Sequence, residues 1–95
     1  MNQDVCYFYH RTNRYRVTIA YSRGENGLVS YGAAFCRPED PFVKRRGRQI
    51  AEGRMRMNGA YVPADNETPR WRVHEHILDH LSYNGPDWVP HNFLQ

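Results

Sequence analysis

The stretch Arg14-Tyr15-Arg16-Val17-Thr18-Ile19-Ala20-Tyr21, followed by Gly24-Glu25-Asn26-Gly27 and Leu28-Val29-Ser30-Tyr31-Gly32-Ala33-Ala34-Phe35-Cys36, decides the fold class. In its first part Tyr15, Val17, Ile19 and Tyr21 alternate with Arg14, Arg16, Thr18 and Ala20, the period of two expected of a strand with one apolar face. Val29, Tyr31, Ala33 and Phe35 repeat that alternation in the last part. Between them, the Asn26-Gly27 pair tolerates positive φ and favours a reversal. Together these segments predict an antiparallel hairpin over residues 14–36. Upstream, Val5 to Tyr9 reads as a third strand, reached through the polar turn Arg11-Thr12-Asn13.

Downstream, Asp40 suits the cap and Pro41 the first turn of a helix that runs to about Met57, where Asn58-Gly59 stops it. At about 100° per residue, Val43, Gly47, Ile50, Ala51 and Met57 gather into one arc, assigned to the sheet, while Lys44, Arg45, Arg48 and Arg56 gather opposite them. Gly47 and Gly53 each disfavour a helix by about 1 kcal/mol relative to Ala. Their expected use is a close approach to the hairpin, or a kink. A loop follows, with Ala60-Tyr61-Val62 suited to a short strand. Thr68 and Pro69 then open a second helix as cap and first residue, Asn84-Gly85-Pro86 closes it, and Val73, Ile77, Leu78 and Leu81 form its apolar face. The tail from Asp87 to Gln95 carries Trp88, Val89, Phe93 and Leu94 and is expected to fold back onto the domain. The sum is a single α+β domain over residues 1–95. Its antiparallel sheet of two or three strands packs against helices at about 41–57 and 69–83.

At 95 residues with 40% hydrophobic and 14% aromatic content, the chain has room for one small core and none for a second domain. No window approaches the roughly 18 consecutive apolar residues of a membrane span, and Met1-Asn2-Gln3-Asp4 lacks the basic-then-apolar layout of a secretory signal. A cytoplasmic setting is expected, that of the host cell if the chain is phage-encoded. Cys6 and Cys36 are too few for a disulfide framework or a zinc knuckle, and they read as reduced, partly buried small hydrophobes.

Charge is unevenly spread. Residues 1–56 hold eleven basic and five acidic side chains, a net +6, whereas residues 57–95 hold two basic and five acidic ones, a net −3. Twelve of the thirteen basic residues are Arg, the side chain whose planar fork suits phosphate and carboxylate. Lys44, Arg45, Arg46 and Arg48, extended by Arg54 and Arg56, form the densest basic run and the expected partner-binding site. Phosphate backbone or an acidic protein surface fits it; a solvated helix face paired with Glu39, Asp40 and Glu52 is the plain alternative. No helix-turn-helix, RNA-recognition signature or zinc finger is present, so base-specific readout is not expected.

Signals for catalysis and metal binding are weaker. His76 and His80 have the i, i+4 spacing that can hold one metal ion, but Ile77 stands where a zincin would carry Glu, and no third ligand is marked. His74 falls toward the apolar arc and reads as a hydrogen-bonded core residue. Cys36 lies at a strand end before a helix start, where a thiol can be activated, in a context that matches no catalytic pattern. No catalytic residue, metal or cofactor is therefore assigned.

The segment Val29-Ser30-Tyr31-Gly32-Ala33-Ala34-Phe35-Cys36-Arg37-Pro38-Glu39-Asp40-Pro41-Phe42, continued by Gly47-Arg48-Gln49-Ile50-Ala51-Glu52-Gly53-Arg54, resembles small proteins encoded by bacteriophages and related mobile elements. The chain is similar in style to the phage proteins that disarm host defence, including anti-CRISPR proteins. That resemblance implies inhibition by stoichiometric binding to a Cas protein or effector complex. Many such inhibitors are acidic mimics of DNA; the +6 front half departs from them and implies an acidic protein patch or a guide RNA as target. A nucleic-acid-binding accessory protein is the second expectation, and a metal- or thiol-dependent enzyme the third.

Overall fold

The computed structural model describes residues 4–93. Met1 to Gln3, part of the argument against a signal segment, and Leu94 lie outside them. The order of elements is β1 (Cys6–Arg11), β2 (Arg16–Arg23), β3 (Leu28–Cys36), α1 (Lys44–Asn58), β4 (Ala60–Pro63) and α2 (Arg70–Asn84). The strands form one four-stranded antiparallel sheet in the order β1-β2-β3-β4, so the fold is α+β. The short segment at Ala60 supplies the fourth strand.

The hairpin forms in the expected register. Tyr21 faces Tyr31, Ile19 faces Ala33 and Val17 faces Phe35, so the alternating apolar residues share one face. Gly27 alone takes the left-handed conformation at the turn (φ 77°), while Asn26 Oδ1 accepts the Leu28 amide. On that face Val17, Ile19, Tyr21, Val29, Tyr31 and Ala33 pack against Val73, Ile77 and Leu81 of α2. The tail folds onto the same face. Trp88 and Phe93 meet Phe35, and the Trp88 indole N–H donates to the Asn58 carbonyl at 2.8 Å.

The opposite face is buried as well, which the alternation does not show. Ala20, Ala34, Ala51 and Met55 form a second apolar cluster between β2, β3 and α1. The sheet therefore lies between two helices, and α1 rests on small residues. A Cβ at Gly32 would lie 2.3 Å from Met55 N and 2.4 Å from Ala51 O, and one at Gly47 would lie 2.7 Å from Thr18 Oγ1. Gly47 thus serves the close approach expected of it. A Cβ on Gly53 would meet nothing within 4 Å, so Gly53 has no such role.

Several helix details need correction. α1 begins at Lys44, after Val43 in extended conformation, and neither Asp40 nor any other side chain caps it. Phe42, packed edge-on against Tyr9 and beneath Arg16, holds Pro41 to Val43 out of the helix. The sheet-facing row is Gly47, Ala51 and Met55, whereas Val43, Ile50 and Met57 are exposed, Met57 by 88%. The apolar arc misplaces the contact because the helix docks through glycine and alanine backbone. Thr68 does not cap α2 either. Its hydroxyl donates to Asp65 Oδ1, which also accepts the Glu67 amide in a local turn.

Candidate anion-binding face

Strand register determines which cations meet. Tyr7, Tyr9 and Arg11 of β1 pair with Ala20, Thr18 and Arg16 of β2, and these residues project on the α1 side of the sheet. Arg11 and Arg16 stand directly opposite each other, an arrangement that like charges destabilise. The first turn of α1 arrives at the same end of the sheet. It brings Lys44, Arg45 and Arg46, with no acidic residue in the turn and no side-chain cap. Cations at a helix N-terminus oppose the helix dipole, at a cost of a few tenths to about 1 kcal/mol each.

Two aromatic rings lie among these charges. Lys44 Nζ sits 5.1 Å from the centre of the Tyr9 ring, and Arg16 sits 5.7 Å from that of Phe42. Arg48 donates to the Tyr9 hydroxyl at 3.2 Å and also approaches the Tyr7 ring. Tyr9 is 43% exposed, so its ring presents area to solvent. The ion pairs among the described residues are Arg37–Glu39, Arg56–Glu52 and Arg72–Glu75. None involves Arg11, Arg16, Lys44, Arg45, Arg46 or Arg48.

The six residues expected to bind a partner therefore separate. Lys44, Arg45, Arg46 and Arg48 gather at this end. Arg56 pairs with Glu52 at 3.1 Å one helical turn away, and Glu52 in turn accepts a short hydrogen bond from Tyr7. The hydrogen bonds from Tyr7 and then Arg56 hold the Glu52 carboxyl below its ordinary pKa, and the same Glu52 contact raises that of Tyr7. Arg54 is half-buried. It donates to the Ala33 carbonyl at 2.8 Å, beyond the last β3–β4 pair, and lies over Trp88. Arg11 and Arg16 complete the cluster in their stead. Sequence reasoning passed over them because they lie some thirty residues upstream of the basic run. Their places flanking the β1–β2 turn are the signal that could have found them.

Beside this surface lies a cleft of about 220 Å³ between the start of α1 and the end of the sheet. Ala34, Phe42, Val43 and Ile50 give it apolar walls, with Arg16 and Arg46 among its lining residues. Cys36 also lines it, its thiol directed at the carbonyl oxygens of Arg37, Asp40 and Pro41. The histidines of α2 face the sheet instead. His74 stacks on Phe8 with ring centres 3.9 Å apart and bonds the Tyr21 hydroxyl, as expected of a core residue. His76 Nδ1 meets the Pro63 carbonyl, and His80 Nδ1 meets the buried Tyr31 hydroxyl at 2.7 Å. Among the described residues no three His, Cys, Asp or Glu side chains come together as a metal site, and no helix is long and apolar enough to cross a membrane.

No family model, curated protein or solved structure matches the chain. The chemistry of this face rests on its own geometry.

Proposed function

We propose that the protein works by stoichiometric binding of a polyanion, the nucleic-acid component of a nucleoprotein, at the end of the sheet where α1 begins. One observation carries this reading. Six cations from three segments gather at one end of the sheet, where Arg16, Lys44 and Arg48 meet Phe42 or Tyr9, strand pairing disfavours Arg11 opposite Arg16, and the helix dipole disfavours Lys44, Arg45 and Arg46 in the first turn of α1. A polyanion relieves that repulsion on binding, and an exposed ring among phosphate contacts suits nucleic acid better than an acidic protein surface. Binding, not catalysis, is the proposed activity.

In its narrower form, drawn from the resemblance to phage proteins, the target is a host defence complex in the cytoplasm, such as a CRISPR-Cas effector with its guide RNA. The protein would inhibit it by occupying the nucleic acid that the complex exposes.

The test is affinity for labelled RNA and DNA, single- and double-stranded, at two salt concentrations. Phosphate binding must weaken steeply as salt rises. Arg45→Glu/Arg48→Glu changes the local charge by four units, so binding falls by about tenfold or more while circular dichroism stays at the parental signal. A folded double variant that binds as tightly as the parent refutes the assignment.

A further inference from the structure

The cleft beside the basic surface is chemically unlike its surroundings. Its apolar lining comes from Ala34 of β3, from Phe42 and Val43 just before α1 and from Ile50 within it, while the Phe35 ring packs on the far side of the sheet against Trp88 and Phe93. The volume of the cleft is about 220 Å³. That is below the roughly 300–1,000 Å³ of sites that enclose a drug-sized ligand, so it matches one ring system rather than a whole nucleotide or a peptide segment. Thr18, nearly fully buried, and Asp40 are polar groups in the lining, with Arg16 and Arg46 as its cations.

We propose that this cleft receives one unstacked nucleobase of a single strand whose phosphates lie on the surrounding cations. The proposal deepens the polyanion reading above and depends on it. Charge complementarity brings the strand there, since Arg16 and Arg46 belong both to the basic surface and to the cleft. The interior then selects base over phosphate. Asp40 repels a phosphate but accepts an N–H from a base edge, and the Thr18 hydroxyl can donate or accept. The apolar part of the lining, with the Phe42 ring as its aromatic member, favours the flat face of a base, and Arg16 and Arg46 are the lining residues that can hold the neighbouring phosphates. A duplex cannot use the cleft without losing pairing and stacking, so the site discriminates for single strands.

The full chain is titrated with a fluorescein-labelled oligouridylate of about 12 nucleotides, within the usual footprint of single-strand binders, and with its duplex with oligoadenylate. Ile50→Trp fills the cleft from a wall that is 37% exposed, and Val43→Trp, from a position 54% exposed, replaces it should the first variant lose its circular dichroism. Single-strand affinity is expected to fall about tenfold, in line with the loss of one stacked base, while duplex affinity stays within about twofold. A strand carrying 2-aminopurine gives a second readout. Its fluorescence changes as the base leaves the stack on binding the parent, and that change disappears with the filled cleft.

Equal losses for single strand and duplex, or no loss for either, would overturn base insertion while leaving polyanion binding intact. A parent that binds neither would overturn both. An acidic peptide bearing tryptophan that binds the parent more tightly than the oligouridylate, and is lost in the filled-cleft variant, would assign the cleft to a protein side chain and also overturn the proposal.

Discussion

The same substitution, Gly to Ala, should have opposite effects at Gly32 and Gly53, and the contrast tests how α1 sits on the sheet. At Gly32 the added methyl would lie 2.3 Å from Met55 N, 2.4 Å from Ala51 O and 2.9 Å from Arg54 C. All three are backbone atoms of α1 that no rotamer change can move. Ordinary contact begins near 3.4 Å, so the helix must lift by about 1 Å along much of its length. Overpacking alone costs about 1–3 kcal/mol, and lifting the helix also loosens Ala51 and Met55 from Ala20 and Ala34. A loss of about 3 kcal/mol is expected, a large share of the roughly 5–15 kcal/mol that holds a domain together. At about 4–8 °C per kcal/mol for a chain of this size, Tm drops by about 12 °C or more. At Gly53 a methyl meets nothing within 4 Å on an exposed helix position, so Ala gains helix propensity and stabilises by about 1 kcal/mol. Urea titration of both variants, read at constant slope, makes the comparison. A Gly32→Ala loss below about 1 kcal/mol, or a Gly53→Ala variant less stable than the parent, refutes this seating of α1.

Acid should weaken the fold through His74. Burial first, then the Arg70 and Arg23 charges, hold its pKa below the ordinary 6.5, so the unfolded chain takes up a proton before the folded one does. This component of stability is present above about pH 6.5, is lost as pH falls below it, and levels off once the folded imidazole also protonates. His74→Phe removes the component and flattens the denaturation midpoint across that window; a variant whose pH slope equals the parent's sinks the assignment. Chelator should leave Tm and nucleic-acid binding unchanged, because His76 and His80 each turn Nδ1 to Pro63 or Tyr31. A stoichiometric metal lost together with folding would contradict it.

The features written into short stretches of sequence are those set by local periodicity. Val17, Ile19 and Tyr21 against Tyr31, Ala33 and Phe35 determined the hairpin and the apolar face its strands share, since a strand exposes alternate residues to opposite sides, whereas which helix covers that face was decided by tertiary packing. Val73, Ile77 and Leu81 determined the buried face of α2 for the corresponding helical reason. Phe42 decided where α1 starts by packing against residues far from it in the chain, an interaction no capping pattern contains. Tertiary structure alone decided that Thr18, Ala20, Gly32 and Ala34 are also covered, because small residues carry little hydrophobic signal yet permit the closest helix approach. It also regrouped the cations. The basic run shows Lys44 to Arg56 as one block, but a helix sends neighbours in sequence to different sides, so Arg54 reaches Ala33 and Arg56 reaches Glu52. Arg11 and Arg16 join Lys44, Arg45, Arg46 and Arg48 only because antiparallel pairing and the docking of α1 bring three separate segments to one end of the sheet. Charge in space, unlike charge in sequence, is fixed by those long-range contacts.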